Sequence, residues 1–487
     1  MKKTQEKSLA RNGIVYLLYN VLNVVFPFAT GVYVARVLLP TSIGQISYAQ
    51  NIVQYFVILA FLGLPTYGLR EIAKARNDKE RLNKLFSELF IINLISTIVF
   101  SLAYLILIFS VPAFRENITL YLIVGSLVAL NALNICWLYE GREDFSYITL
   151  LNLLFKIFSF VLLILFVRGF DDWLIYAGIT VIGTAGNYIV NVIHSRKFVK
   201  FTFKGLEFKR HLKPIFYLVA VNLAIEIYTL IDITMLGFFC EPDKIAFYSY
   251  GSKIYKIFIQ ILNTFTIVLV PRIANLYKND QKEEFNELLS KATKIILLFA
   301  LPIVIGLIFV SNFVITKIYG PPYIESAGVL KVFAFSLVMT PLGYLLGSRV
   351  LLVAEKESKM LICVSLGAIA NVIGNFILIQ LYGIYGAAIS TVLSETLVAI
   401  VYIMFGKKYF KLKGVFPTLF KILVGCALML VYFILLSLTN IDSWSLLGLQ
   451  VCGGIFIYFV VLLLLKEDNV LSVCKKFLGN KDDQTNS

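Results

Sequence analysis

Residues 40–49 read PTSIGQISYA, and residues 242–251, which lie 202 positions later, read PDKIAFYSYG. Extended without a gap over residues 40–78 and 242–280, the two copies agree at nine of 39 positions, including the closing Asn-Asp pair. The identities include polar residues of predicted loops, so a shared apolar composition does not explain them. A repeat of this kind in an apolar chain is typical of transporters, whose sites lie where the related halves meet.

The composition is that of a membrane protein. The chain is 59% hydrophobic and 15% charged, with a mean hydropathy of +0.84, whereas soluble proteins contain about 25% charged residues. Apolar runs of about 20 residues, each long enough to cross a hydrocarbon core of ~30 Å as a helix, fill most of the length. The alternating segments of ~10 residues that mark a membrane β-barrel do not appear. We therefore predict an all-α polytopic membrane protein.

The apolar runs predict fourteen transmembrane helices. Their approximate limits are 13–35, 43–65, 86–111, 118–139, 148–168, 173–194, 214–238, 246–270, 294–317, 326–347, 361–380, 384–405, 418–438 and 444–465. The first run follows a basic segment but is too long for the ~7–15 apolar residues of a signal peptide. We therefore expect it to remain as the first span.

Lysine and arginine are distributed unequally between the two sides of the membrane. With fourteen spans, 34 of the 44 lie on one side, five on the other and five within spans. Because cytoplasmic loops hold the excess of positive charge, we expect both termini in the cytoplasm. This asymmetry and anionic lipid headgroups explain the net charge of +15, so nucleic acid is not an expected partner.

Cysteine and histidine form no recognisable ligand set. The spacings of the six cysteines match no zinc site, most cysteines lie in or beside spans, and the two histidines are isolated, so we expect no metal and no disulfide framework. The chain also lacks a Gly-x-x-x-x-Gly-Lys-Ser/Thr phosphate loop and a large outer loop for a catalytic site. We predict a protein that is not an enzyme and uses no cofactor.

Three stretches carry a family resemblance. Residues 134–145, NICWLYEGREDF, contain the pattern Trp-x-x-x-Gly-x-Glu-x-Phe. This pattern resembles a loop of the Wzx-type polysaccharide and O-antigen repeat-unit flippases. Residues 31–44 are similar to the first hairpin of that family, and residues 371–395 to its spans 11 and 12. The likeness covers nearly the whole chain and extends to the superfamily that includes MATE exporters and the lipid II flippase.

The resemblance implies a fold and a function. Spans 1–6 (residues 1–212) and 7–12 (213–413) would form two six-helix bundles in a V around a central cavity, followed by spans 13–14 (414–466) and a cytoplasmic tail (467–487). The implied function is to flip an undecaprenyl-pyrophosphate-linked oligosaccharide from the inner to the outer leaflet of a bacterial plasma membrane. The implied partners are membrane lipids, a polysaccharide polymerase and glycosyltransferases.

The candidate substrate residues are polar side chains in or beside the predicted spans. Lys253 and Lys256 share one face of span 8, and the repeat aligns them with Asn51 and Gln54 on span 2. In the resembled fold these spans face each other across the cavity, where two ammonium groups would balance a pyrophosphate. The lysines could instead snorkel to the outer headgroups. Arg36 is a further candidate for a phosphate contact, with a role in topology as the alternative.

Glu226 and Asp232 on span 7 are the candidates for a coupling ion. MATE exporters use an acid on span 7 in cation coupling, but their partner acid on span 10 has no match here, since that span carries Lys331. Glu226 could equally be a structural acid bonded across helices. For two further charges within spans, Lys156 and Glu395, we expect salt-bridge or snorkelling roles.

Two other functions remain open beside the oligosaccharide flippase. A MATE-like, cation-coupled exporter of small organic molecules would prefer an acidic lumen, whereas here the buried lysines outnumber the deep acids. A lipid II flippase is a close relative in the same superfamily.

Overall fold

The computed structural model describes residues 25–439 and 443–471. Within these ranges the secondary structure is helical, and no β-strand occurs. Among the described residues, twelve helical stretches are long and apolar enough to cross a membrane. The first part of predicted span 1 and most of the predicted tail lie outside the described residues.

The chain divides into two compact units, Met1–Ala246 and Phe247–Ser487. The described helices of the first unit are α1 (Val25–Val37), α2 (Pro40–Phe61), α3 (Leu64–Ala75), α4 (Lys79–Ser110), α5 (Pro112–Arg115), α6 (Ile118–Leu130), α7 (Cys136–Gly141), α8 (Phe145–Phe166), α9 (Trp173–Ser195) and α10 (Lys209–Phe239). Helix α11 (Pro242–Lys278) begins in the first unit and continues into the second.

The second unit is also built from helices. They are α12 (Lys282–Ile318), α13 (Ile324–Ala334), α14 (Ser336–Gly343), α15 (Val350–Val353), α16 (Glu357–Tyr382), α17 (Ile384–Gly406), α18 (Val415–Ser437), α19 (Ser443–Gly448) and α20 (Gly454–Leu464). The π-helical segment Tyr344–Arg349 joins α14 to α15, and a second one, Leu449–Gly453, joins α19 to α20.

The helices confirm the prediction of an all-α polytopic membrane protein. Predicted spans 2 to 14 each fall on one helix or on consecutive helices. Span 7 corresponds to α10, whose 31 residues exceed the length needed to cross a bilayer at 1.5 Å per residue. The predicted domain limits at 212, 413 and 466 stay predictions.

The two copies of the repeat begin alike and then differ. Pro40 begins α2 and Pro242 begins α11, because proline has the φ of a helix and lacks the N–H that would be unpaired in a first turn. Helix α2 ends at Phe61, and Leu62 and Gly63 adopt left-handed φ values of 48° and 66° before α3. Helix α11 continues without such a break for 37 residues.

The repeated Asn-Asp pair likewise has two structural roles. The carboxylate of Asp78 caps α4 by accepting two backbone N–H groups of its first turn, each at 3.1 Å. Asp280 instead adopts a φ of 54° after α11, and the N–H of Gln281 donates to the carbonyl of Leu276 at 3.0 Å. The identity therefore indicates a common origin without a common local role.

The tryptophan motif packs α7 against α3. Trp137 is fully buried, and a Cβ placed at Gly68 would lie 3.0 Å from its ring. A Cβ at Gly141 would lie 2.7 Å from the side chain of Ile72. Because both glycines sit where the helices approach closely, Trp137 and Gly141 of the family-like motif serve the packing of the first unit.

Gly44 marks another close approach within the first unit. A Cβ at this position of α2 would overlap the carbonyl oxygen of Pro242, a backbone atom that cannot move aside as the end of a side chain could. The first turns of α2 therefore depend on a glycine at this position.

Replacing Gly44 by alanine is expected to lower the free energy of unfolding by about 1–3 kcal/mol, the usual cost of overpacking. The thermal unfolding midpoint of the purified protein measures this loss. Gly306→Ala in α12 is the matched control, because a Cβ at Gly306 meets nothing within 4 Å and alanine is the better helix former by ~1 kcal/mol. Equal midpoints for the two variants would contradict the packing argument.

Candidate functional site

The first unit contains three of the predicted substrate residues. Arg36 on α1 and Gln54 on α2 are exposed, whereas Asn51 on α2 is buried. The side-chain amide of Asn51 donates to the hydroxyl of Thr234 on α10 at 2.7 Å, and the hydroxyl of Tyr55 lies 2.9 Å from the same oxygen. Asn51 therefore joins α2 to α10.

Asp232, a predicted coupling residue, belongs to the same cluster. Its side chain is buried and interacts electrostatically with the hydroxyl of Tyr55. The amide oxygen of Asn51 is also buried and has no hydrogen-bond partner among the described residues. The structure thus bonds a predicted substrate residue, Asn51, to Thr234, which also contacts Tyr55, and places the predicted coupling residue Asp232 near enough to Tyr55 to act on it electrostatically. The sequence did not indicate Tyr55 or Thr234.

Glu226 has a different environment on the same helix. Its carboxylate accepts a hydrogen bond from the hydroxyl of Thr229 at 3.1 Å, and this hydroxyl also donates to the backbone carbonyl of Glu226 at 2.9 Å. Both bonds lie within one turn of α10. Within the described part of the chain, these hydrogen bonds of Glu226 stay on its own helix, and its role as a coupling or structural acid stays a prediction.

The two predicted lysines lie on α11 in the second unit. Lys253 is half-buried, and its ammonium lies 4.5 Å from the ring centre of Tyr250. An aromatic face stabilises a partly dehydrated ammonium by about 0.5–2 kcal/mol. Lys256 is exposed. Lys253 is thus held in place by a neighbouring ring, while Lys256 keeps its ammonium accessible.

Glu395 on α17 connects to the helix that carries these lysines. Its carboxylate accepts hydrogen bonds from the hydroxyl of Tyr255 on α11 at 2.8 Å and from that of Thr340 on α14 at 2.9 Å. The ring of Phe333 stacks on Tyr255 with centroids 4.8 Å apart. Hydroxyl groups of two neighbouring helices therefore stabilise this carboxylate, and the expected salt-bridge or snorkelling role stays a prediction.

A third polar cluster lies where α4 meets the start of α10. Glu88 is fully buried, and its carboxylate lies 2.6 Å from the guanidinium of Arg210, 2.8 Å from Nε2 of His211 and 2.6 Å from the backbone nitrogen of Glu207. The hydroxyl of Tyr67 lies 2.7 Å from Nδ1 of the same histidine. Since a carboxylate only accepts, Nε2 of the histidine donates to it.

This cluster corrects the expectation of an isolated histidine. His211 is buried, and its partner Glu88 is 123 positions away in the sequence, so no local spacing could indicate the pair. On the exposed side of the cluster, Lys84 bonds Glu207 at 2.5 Å. This hydrogen bond, together with the charges of Lys84 and Arg210, lowers the pKa of Glu207 below its ordinary value.

Equivalent side chains in both units bind the backbone of a basic loop. Side chains near the start of α4 and of α12 accept hydrogen bonds from backbone N–H groups of the loops that follow α9 and α17. The pairs are Lys200 to Asn83 at 2.8 Å, Thr202 to Ser87 at 2.9 Å, Lys411 to Asn286 at 2.7 Å and Lys413 to Ser290 at 2.9 Å. The sequence signal is Asn-x-Leu-x-Ser, which recurs after 203 positions. The gapless alignment of the repeat does not detect it, because that alignment has an offset of 202 positions.

A family model described as "Polysaccharide biosynthesis protein" matches residues 9–277, more than half of the chain. The chain belongs to this family. A second model, described as MatE, matches residues 218–377. The resemblance predicted from the three sequence stretches is confirmed.

Relatives and solved structures agree with this assignment. The "Putative O-antigen transporter" of Escherichia coli strain K12 is 25% identical over 416 residues, covering 82% of this chain and 97% of the relative. The structure of "Lipid II flippase MurJ" in an inward closed conformation matches with a TM-score of 0.73 at 19% identity, covering 94% and 100%. An inward-facing MATE transporter matches with a TM-score of 0.62 at 16% identity, covering 81% and 97%.

These structural likenesses show that this chain shares the fold of the lipid II flippase and of the MATE transporter. The full-length relative is a transporter by name, and the structural neighbours are a flippase and a multidrug transporter. The prediction of a membrane transporter rather than an enzyme is confirmed by this agreement.

Replacing Glu88 by glutamine is expected to lower the free energy of unfolding by about 3 kcal/mol, because Arg210 and His211 lose a buried charged partner. Chemical unfolding of the purified protein in detergent measures the change. Glu207→Gln is the matched control, since its side chain is 61% exposed and exposed ion pairs contribute little to stability. A Glu88 variant as stable as the control would refute a stabilising role for the cluster.

Proposed function

We propose that this protein flips an undecaprenyl-pyrophosphate-linked oligosaccharide repeat unit from the inner to the outer leaflet of a bacterial plasma membrane. Membership of the polysaccharide biosynthesis family carries the proposal, and the full-length relative named an O-antigen transporter supports it. The product would enter O-antigen or capsule assembly, with both termini of the protein in the cytoplasm. Glycosyltransferases would supply the substrate, and a polysaccharide polymerase would consume it.

The charged headgroup sets the chemical requirement for such a flippase. A charge at the centre of a bilayer costs about 2.5–3.5 kcal/mol even on insertion scales, so the pyrophosphate needs cations along its route. In this proposal Lys253 and Lys256 supply them, Arg36 adds a phosphate contact, and Asn51 and Gln54 bind hydroxyl or phosphate oxygens. The undecaprenyl tail stays in the lipid throughout.

The oxygen-rich cluster between α2 and α10 is the proposed coupling site, with Glu226 as the second candidate. Asp232, the unpaired amide oxygen of Asn51 and the neighbouring hydroxyls present hard oxygen donors, which suit a proton or a small hard cation. Because Asn51 belongs both to this cluster and to the proposed substrate set, an ion bound here could affect substrate binding directly.

Lipid II transport is the second candidate function. The match to the lipid II flippase, which covers 94% of this chain, favours it. Both substrates carry a polyprenyl pyrophosphate, so the cationic residues do not discriminate between them. The two substrates differ in their glycans, so the choice between the two functions depends on sugar recognition.

Leaflet transfer in vesicles tests the proposed function. The purified protein is reconstituted, and the accessibility of a fluorescent undecaprenyl-pyrophosphate-linked oligosaccharide to an impermeant periodate reagent is followed over time. We expect faster transfer than in empty vesicles. Transfer of labelled lipid II alone would favour the second function, and transfer of neither substrate would contradict both.

Replacing Lys253 and Lys256 together by glutamine is expected to slow leaflet transfer by about tenfold to a hundredfold. A hydrogen bond to a charged group contributes about 1.5–3 kcal/mol, and 1.4 kcal/mol corresponds to a factor of ten. Lys282→Gln is the matched control, because this lysine, at the start of α12, is 79% exposed and pairs with Asp280. Unchanged transfer by the double variant would remove both lysines from the proposed site.

Replacing Asp232 by asparagine is expected to abolish the acceleration of transfer by an imposed proton or Na⁺ gradient, because the amide cannot carry the ion's countercharge. Glu226→Gln, which preserves an acceptor for Thr229, is expected to retain most of that acceleration. Transfer rates measured with and without each gradient separate coupling from binding. If Asp232→Asn responds like the wild type and Glu226→Gln does not, the coupling role belongs to Glu226.

A further inference from the structure

A cavity of about 270 Å³ lies at one end of the first unit. It is lined by the starts of α2 and α11, by the segment from the end of α4 through α5 to the start of α6, and by the end of α10. The side chains that matter for its chemistry are Gln45, Tyr48, Phe114, Glu116, Asn117 and Tyr121. None of them belongs to the substrate or coupling sets described above.

Three aromatic rings form one wall of this cavity. The centroids of Tyr48 and Phe114 are 6.4 Å apart, and those of Phe114 and Tyr121 are 4.8 Å apart. Tyr48 also packs against α10 at Gly237, where any Cβ would overlap its ring. Because packing on both sides fixes the rings, the wall is formed before a ligand arrives.

Polar groups complete the cavity. The side chains of Gln45, Glu116 and Asn117 line the cavity together with Tyr48 and Tyr121. As lining residues they present amide, carboxylate and phenol groups to a ligand. No lysine, arginine or histidine lines the cavity in the described part of the chain.

Arg115, the nearest cation in sequence, is engaged elsewhere. Its guanidinium donates to the carbonyl of Phe109 at 2.5 Å, and it is not a lining residue. The carboxylate of Glu116 is therefore the one formal charge among the described lining residues.

We propose that this cavity binds one neutral sugar ring of the transported glycan. Aromatic faces suit the C–H face of a sugar, while amide, carboxylate and phenol groups bind its hydroxyls. A lining that carries a carboxylate and no cation among the described residues does not favour phosphate, and the polar groups do not suit a hydrocarbon tail. The volume is below the ~300–1,000 Å³ of sites for drug-sized ligands, so it fits one ring rather than a repeat unit.

The position of the cavity suits a site that holds the glycan after it has crossed the membrane. This role rests on the proposed flippase function. The cavity lies at the end of the first unit that is opposite the basic loop after α9. In the proposed function, this opposite end is the outer side, to which the glycan is delivered. A ring bound there would contact the turn between α4 and α6 and also Pro242 at the start of α11. The cavity would hold the glycan after crossing and disfavour its return.

Saturation-transfer NMR on the full-length protein in nanodiscs tests the inference. The probes are the methyl glycosides of glucose, galactose and N-acetylglucosamine, with phosphorylethanolamine and inorganic phosphate as competing chemistries. We expect transfer to at least one glycoside and a loss of fivefold or more in Glu116→Ala and Asn117→Ala. The matched control is Asn312→Ala, which replaces an exposed asparagine on α12 and should leave the signal unchanged.

The outcomes separate this inference from the proposed function. Absence of any glycoside signal, a signal that both cavity variants retain, or a preference for phosphorylethanolamine or phosphate would overturn the sugar site. If leaflet transfer by the wild type then still occurs, the flippase proposal stands alone. If glycosides bind and the cavity variants abolish binding, but no lipid-linked glycan is transferred, the sugar site stands and the flippase proposal fails.

Discussion

Every backbone N–H and C=O group in a hydrocarbon core needs a partner within the protein, and this constraint accounts for most of the structure. Inside the membrane, helices satisfy it. At the basic edge, where the chain leaves the helix, side chains satisfy it instead: Asn83 and Ser87 bind the backbone of one loop, and Asn286 and Ser290 bind the other. Both halves retain these side-chain-to-backbone hydrogen bonds although most of their sequence has diverged.

The all-helical architecture was predictable because membrane helices leave a strong signal in composition and length. The repeat and the charge asymmetry were equally visible. The break at Leu62 and Gly63 was not predictable, because it falls within the predicted span 43–65 and Leu62 is an ordinary apolar residue. The different roles of Asp78 and Asp280 were not predictable either, because capping depends on the backbone conformation that each segment adopts.

The candidate site was predictable only as a set of charges and polar side chains. Charge within a span marked Lys253, Glu226 and Asp232. The contacts described for Lys253 and Glu226 are with the uncharged residues Tyr250 and Thr229, which nothing in the sequence distinguishes from the many other hydroxyl residues of the spans. The pairing of Glu88 with His211 required a contact across 123 positions. Long-range hydrogen bonds of this kind follow from helix packing, which single-sequence patterns do not specify.

The break between α2 and α3 makes the two duplicated segments mechanically unequal. Two residues with left-handed φ separate α2 from α3, so these helices can change their mutual angle by small rotations at one point. Helix α11 runs for 37 residues, about 55 Å at 1.5 Å per residue, and carries Pro271 in its interior. Because an interior proline removes a backbone hydrogen bond, the weak point of α11 lies near its end, whereas that of the first copy lies between α2 and α3. Duplication has thus produced two segments that can bend at different places.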